Sequence, residues 1–129
     1  MIIEPNDADI ALSQQTYKRF AAKAGSENIA TQFALAGLAG LLTKIKPQTV
    51  LEFGAGIGTI TSLLLSHPVN VKRVFCTEDN EFCLEQLAIN LQHDDPDRPS
   101  ILTGPEQLSQ LDGKVDLLIV DGGFDGNLS

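Results

Sequence analysis

Positive charge is scarce in this chain. Nine Lys and Arg stand against 17 Asp and Glu in 129 residues, giving a net charge of −8 and a pI near 4.5. A nucleic-acid binder neutralises phosphates with clustered Lys and Arg. The few cations here are scattered, which argues against DNA or RNA and for a small molecule or another protein. Cysteine is also scarce. Cys76 and Cys83 fall on a predicted strand and the helix after it, without metal-ligand spacing, and read as reduced, half-buried thiols of a cytosolic protein. Long apolar runs are missing: the longest, Phe33 to Leu42, is too short to span a bilayer. The opening Met1-Ile2-Ile3-Glu4-Pro5 lacks the basic start and apolar segment of a signal peptide. These absences lead us to expect a cytoplasmic protein with no membrane partner. No internal repeat or low-complexity segment is visible.

What is present has an ordinary globular balance, 43% hydrophobic and 20% charged residues, at a length that fits one domain. Asn6 or Asp7 can cap a helix running to Ala24, with Gly25 after it. Its predicted buried face holds Ile10, Tyr17, Phe20, Ala21 and Ala24. Ser26 can cap a second helix, Glu27 to Lys44, whose small residues Ala34, Gly37, Ala39 and Gly40 would let it lie close to another element. Strands are predicted at Val50 to Phe53, Val71 to Thr77, Ser100 to Thr103 and Val115 to Val120. Between them, helices are predicted at Gly56 to Ser66, after an Asn80 cap (Leu84, Leu87, Ala88 and Leu91 inward), and from Gly104-Pro105 to Gln110. Gln92 to Pro99 reads as an acidic, exposed loop. His67 and His93 read as surface residues. Strands alternating with helices give an α/β fold, a parallel sheet with right-handed crossovers and helices on both faces. The expected order is 3-2-1-4, with two N-terminal helices ahead of the sheet. The division is one domain, 1–129: helices over 1–46, and over 47–129 a Rossmann-like core that is incomplete at its C-terminus.

The most informative stretch is Val50-Leu51-Glu52-Phe53-Gly54-Ala55-Gly56-Ile57-Gly58-Thr59. A strand entering a helix must turn sharply and bring bare backbone near a ligand, which Gly allows. The dinucleotide fingerprint is G-x-G-x-x-G. Here the third glycine comes one position early, and Thr59 stands where that fingerprint has Gly. A pyrophosphate seeks N–H groups and a helix N-terminus. A carboxylate at Glu52 would repel it and would favour an ammonium or a sulfonium. S-adenosylmethionine carries both and no phosphate. The plainer reading is a glycine turn with a surface Glu and no ligand. Glu78 ends the second predicted strand, 20 residues after Gly58 (78 − 58). It can accept both hydroxyls of a ribose or serve as a helix N-terminal charge. Asp121 ends the fourth strand and reads as a base, a metal ligand or a turn-former ahead of Gly122-Gly123.

Taken together, these segments resemble the class I S-adenosylmethionine-dependent methyltransferases over nearly the whole chain. The residues that carry the resemblance are the glycine stretch, Thr77-Glu78-Asp79-Asn80 and Val115-Asp116-Leu117-Leu118-Ile119-Val120-Asp121. Within that class the chain is most similar to small-molecule O-methyltransferases acting on catechols and related phenols, the caffeoyl-CoA type included. Leu41-Leu42 and Pro47 ahead of Val50-Leu51-Glu52, and Gly104-Pro105-Glu106 after the third strand, match their pattern. The resemblance implies that Glu52, Gly54, Ala55, Gly56, Gly58 and Thr59 surround the methionine part of the cofactor. Glu78 and Asp79 would take the ribose, and Gly104, Pro105 and Glu106 the adenine edge. Asp121 would border the cofactor and act as the candidate base. It would also match the first carboxylate of a divalent-metal site. That family follows it with an acidic residue and a Lys where this chain has Gly123 and Phe124, so no metal is expected here. About seven strands are implied and four are counted, so a fragment, or a half completed by a partner, is expected. The fourth strand would then be an exposed edge that could join two copies in a homodimer. The expected activity is methyl transfer to the oxygen of a small hydroxylated acceptor. The alternatives are a module that binds S-adenosylmethionine without turnover and, less favoured, an NAD-dependent oxidoreductase.

Overall fold

The structure, a computed structural model, describes residues 2–92, 94, 95, 97–103, 107, 109, 111, 113 and 115–120. Helix α1 spans Asp7–Ala21. It opens with a reciprocal cap: Asn6 Oδ1 accepts the Asp9 N–H at 2.7 Å and Asp9 Oδ2 accepts the Asn6 N–H at 3.0 Å. Asp7 and Asp9 in its first turn, and Lys18 and Arg19 in its last, complement the helix dipole. It stops three residues short of Ala24. Its buried stripe is Asp9, Ser13, Thr16 and Phe20, mostly polar, while Ile10 is exposed. Phe20 lies on the expected face; Asp9 replaces Ile10 there because its carboxylate bonds Thr43 and His67 of the neighbouring elements.

Helix α2 spans Gln32–Ile45 and starts five residues later than expected. Ser26 instead begins a single 3-10 turn to Asn28. Thr31 is the cap, its Oγ1 accepting the Ala34 N–H at 3.1 Å. Lys46 ends the helix in the left-handed region, and Pro47 follows. Gly40 lies against the N-terminal segment: a Cβ there would sit 3.0 Å from Ile3 Cγ2 and 3.1 Å from Pro5 Cα.

Strands β1 (Thr49–Phe53), β2 (Arg73–Thr77), β3 (Pro99–Leu102) and β4 (Leu117–Val120) form one parallel sheet in the order β3-β2-β1-β4. This is the expected Rossmann-like arrangement. β2 starts at Arg73 and β4 at Leu117, each two residues later than expected. At β4, the Asp116 carboxylate turns back to accept the Gln48 and Thr49 N–H groups, both at 2.9 Å. Helix α3 (Thr59–Ser66) joins β1 to β2, and α4 (Glu81–Asn90) follows β2. Asn80 caps α4, accepting the Cys83 N–H at 3.0 Å.

Strand alternation sorts the side chains into two layers. Val50, Val74, Leu117 and Ile119 pack with Leu35, Ala39 and Leu42 of α2 and Ile60, Leu63 and Leu64 of α3. Cys76, on the same sheet face, packs with Leu87 and Leu91 of α4. Leu51, Phe75 and Leu102 point the other way and meet Leu111 and Val115 from the third crossover. Strand order reverses at β1, so crossovers of one hand must pass on opposite sides of the sheet. Among the described residues, no helix is long and apolar enough to cross a membrane.

Candidate functional site

With β1 between β2 and β4, the chain's switch in direction falls beside the carboxyl end of β1, where such sheets form a crevice. The glycine turn fills that place. Gly54, Gly56 and Gly58 have φ of +83°, +58° and +104°, so the predicted helix cannot start at Gly56 and α3 begins at Thr59. Gly58 is pinned from beneath: a Cβ there would lie 2.9 Å from Leu87 Cδ1. Gly56 faces open space: among the described residues, no atom lies within 4 Å of where its Cβ would stand.

The end of β2 holds this turn. Thr77 Oγ1 accepts the Gly54 N–H at 3.0 Å, the Thr77 carbonyl accepts the Ala55 N–H at 2.9 Å, and Glu78 Oε1 accepts the Gly56 N–H at 2.8 Å. Three successive N–H groups are therefore already bonded inside the protein. A phosphate-binding loop works by offering such groups to the ligand. The first turn of α3, the other source of free N–H groups, is buried at Thr59, Ile60 and Thr61.

Both carboxylates named from the sequence lie at this turn, in different roles. Glu78 is half-buried. Its Oε2 accepts the Asn80 N–H at 3.0 Å, and its backbone N–H donates to the Leu102 carbonyl at 3.1 Å. Each oxygen uses one lone pair inside the protein, which leaves acceptor capacity for two ligand hydroxyls. Glu52 was expected at the strand tip. The structure sets it below the turn, 0% exposed, with Oε1 accepting the Thr61 hydroxyl at 2.6 Å. It shares a sheet face with Cys76. Burial, then the Glu52 charge, then that of Glu78 push the Cys76 thiol up to about 12, against a lowering hydrogen bond from Thr61. Cys83 is raised too, by burial and then by Glu78.

Asp79 is exposed beside Glu78. The buried Thr59 hydroxyl has no hydrogen-bond partner among the described residues. Gly104, Pro105, Glu106 and Asp121 lie outside the described residues, as does His93. Among the described residues, no group of three or more His, Cys, Asp or Glu could hold a metal ion.

His67 corrects an expectation. It is buried, not on the surface. Its backbone N–H caps α3 on the Leu63 carbonyl, where α1 and α2 pack over the helix end. His67 Nδ1 accepts the Val69 N–H at 3.0 Å, so the ring hydrogen sits on Nε2. That nitrogen lies 3.0 Å from the Ala39 carbonyl, 3.2 Å from Asp9 Oδ1 and 3.1 Å from Thr43 Oγ1. Thr43 in turn donates to Asp9 Oδ1 at 2.8 Å. A nucleophilic triad needs one imidazole nitrogen free for the hydroxyl proton and the other on the carboxylate. Here one is engaged by backbone, so the cluster ties three helices together and has no catalytic geometry.

Sequence reading gave Thr77 and Thr61 no role and did not foresee what the turn after α1 touches. A Cβ on Gly25 would lie 2.7 Å from Phe82 Cε1 and 3.0 Å from Ile57 Cγ2, so that turn rests on the glycine loop and the start of α4. The available signal for Thr77 was its place as the last residue of β2, just before Glu78.

No family model matches this chain, and no curated protein matches it. Solved structures do. A methyltransferase from Podospora anserina bound to S-adenosylhomocysteine (SAH) matches with a TM-score of 0.67 at 19% identity, over 90% of this chain and 50% of that one. An O-methyltransferase from Bacillus cereus in complex with SAH matches with a TM-score of 0.63 at 20% identity, over 93% and 56%. The O-methyltransferase TomG from Streptomyces achromogenes, involved in tomaymycin synthesis and bound to S-adenosylmethionine (SAM), matches with a TM-score of 0.62 at 18% identity, over 94% and 56%. The fold is that of SAM-dependent methyltransferases. The chain spans about half the length of the structures it matches.

Proposed function

We propose that this chain binds S-adenosylmethionine in the glycine turn and forms the cofactor half of a methyltransferase acting on a small hydroxylated molecule. The observation that carries the reading is the set of bonds from Gly54, Ala55 and Gly56 to Thr77 and Glu78. A turn whose N–H groups are already engaged, flanked by two carboxylates and, among the described residues, by no cluster of Lys or Arg, suits a cationic nucleoside and disfavours a dinucleotide. Gly56 supplies the open side against which backbone and ligand can meet. Glu78 supplies the ribose acceptors, with Asp79 beside it. Glu52 acts from below through its charge, with Thr61 fixing its carboxylate.

The cofactor, when bound, supplies an activated methyl group and a neutral thioether leaving group. The protein's remaining tasks are to place the acceptor oxygen in line and to receive its proton. Asp121, which follows the last residue of β4, is the proposed proton acceptor. Thr59 and Gly58 would border the methionine part, and Gly104 and Pro105 the adenine. With a net charge of −8, a small-molecule acceptor fits better than a nucleic acid. The outer edge of β4 carries Leu-Leu-Ile-Val without charge or proline to deter pairing, so we assign it to a second copy of the chain.

Titration calorimetry with SAH and with NAD, followed by methylation assays on a panel of phenols, tests the reading. SAH binding with NAD silent supports the site, and a methylated phenol supports the enzyme. SAH binding without product on any acceptor supports the non-catalytic module. NAD binding with SAH silent overturns both.

A further inference from the structure

Thr77 has no role of its own in the expected site, yet it meets the glycine turn twice: its hydroxyl oxygen takes the Gly54 N–H at 3.0 Å and its carbonyl takes the Ala55 N–H at 2.9 Å. Any residue would supply the carbonyl. Only a side chain with an acceptor near Cβ supplies the other, and it does so at the head of the turn, where φ of Gly54 becomes positive (+83°). Parallel pairing of Phe53 with Thr77 sets the two chain segments side by side and fixes the reach.

We propose that Thr77 is the positioning residue of the cofactor cradle. Through the Gly54 N–H it sets the path of the turn before any ligand arrives, so that the open side of Gly56 and the Glu78 carboxylate converge on one molecule. Valine at this position keeps the branched shape and strand preference but offers no acceptor. The turn would then sample other paths, and a ligand would bind only the competent fraction. A freed Gly54 N–H is also a donor a phosphate can use, so preference for SAH over NAD should narrow. The affinity part rests on the proposed function; the turn geometry does not.

Amide hydrogen exchange read by NMR on the ligand-free chain, with SAH and NAD calorimetry, is the test. The Gly54, Ala55 and Gly56 amides should be protected in the wild type before ligand is added. Thr77→Val should lose protection at Gly54 and bind SAH about fivefold more weakly, the equivalent of one net hydrogen bond, with the SAH-to-NAD preference reduced. Thr77→Ser should restore protection and affinity. Free exchange of Gly54 in the ligand-free wild type overturns the proposal even if Thr77→Val does not fold. So does a folded Thr77→Val that binds as the wild type does, or a Thr77→Ser that rescues nothing. Protected amides in a chain that binds no SAH would leave Thr77 its role and overturn the proposed function alone.

Discussion

Glu52 and Cys76 show how one buried position constrains another. They are paired across β1 and β2 and share a face beneath the turn. The folded state holds the Cys76 thiol protonated to about 12, against an ordinary value of 9.0. The unfolded chain releases that proton first as pH rises, so this contribution to stability is complete below about pH 9 and is lost as pH climbs toward 12. Chemical denaturation at stepped alkaline pH should show stability falling through that window, and Cys76→Ala should flatten the fall. The glycines separate two kinds of effect. Gly58→Ala drives a methyl group against Leu87 at a φ that L residues avoid, and should lower the unfolding free energy by about 1–3 kcal/mol. Gly56→Ala meets no atom of the described residues and should cost only about 1–2 kcal/mol of strain, while filling the cradle and weakening SAH binding. Equal effects of the two on stability and affinity would contradict this division.

Among the elements, α1 departs most from its sequence pattern. Asp9, at the head of its buried stripe, is held by Thr43 and His67, where α2 and α3 meet. Asp9→Ala removes the returning half of the cap, the bond from the Asn6 N–H, and takes the carboxylate away from Thr43 and His67. Urea unfolding should show a loss of about 1–3 kcal/mol, with SAH affinity unchanged because the cluster plays no part in the glycine turn. A large loss of SAH affinity in a folded variant would show that α1 shapes the site. Legibility differed by element for physical reasons. Strand apolarity and glycine spacing are local signals, and the sheet order and the place of the turn were readable from them. Burial of His67 and Glu52 depends on which helices cover them, and the engagement of the turn by Thr77 depends on strand register. No local pattern carries either.

At the scale of the molecule, one edge of the sheet stands out. β4 pairs with β1 on one side, and Leu118 and Val120 are 53% and 54% exposed. If two copies join through this edge, sedimentation across a dilution series should show a reversible dimer, and Leu118→Lys should leave a folded monomer. A wild-type chain that sediments as a monomer throughout would end that assignment. The site sits at the carboxyl end of β1, with the turn after α1 resting on it through Phe82 and Ile57. Under the proposed function, this end of the sheet is where the cofactor is chosen. Calorimetry of the wild-type chain against SAH and NAD under matched conditions asks that question most directly. A glycine turn whose N–H groups are bonded to Thr77 and Glu78 should take SAH and leave NAD unbound; heat from NAD with none from SAH would contradict it.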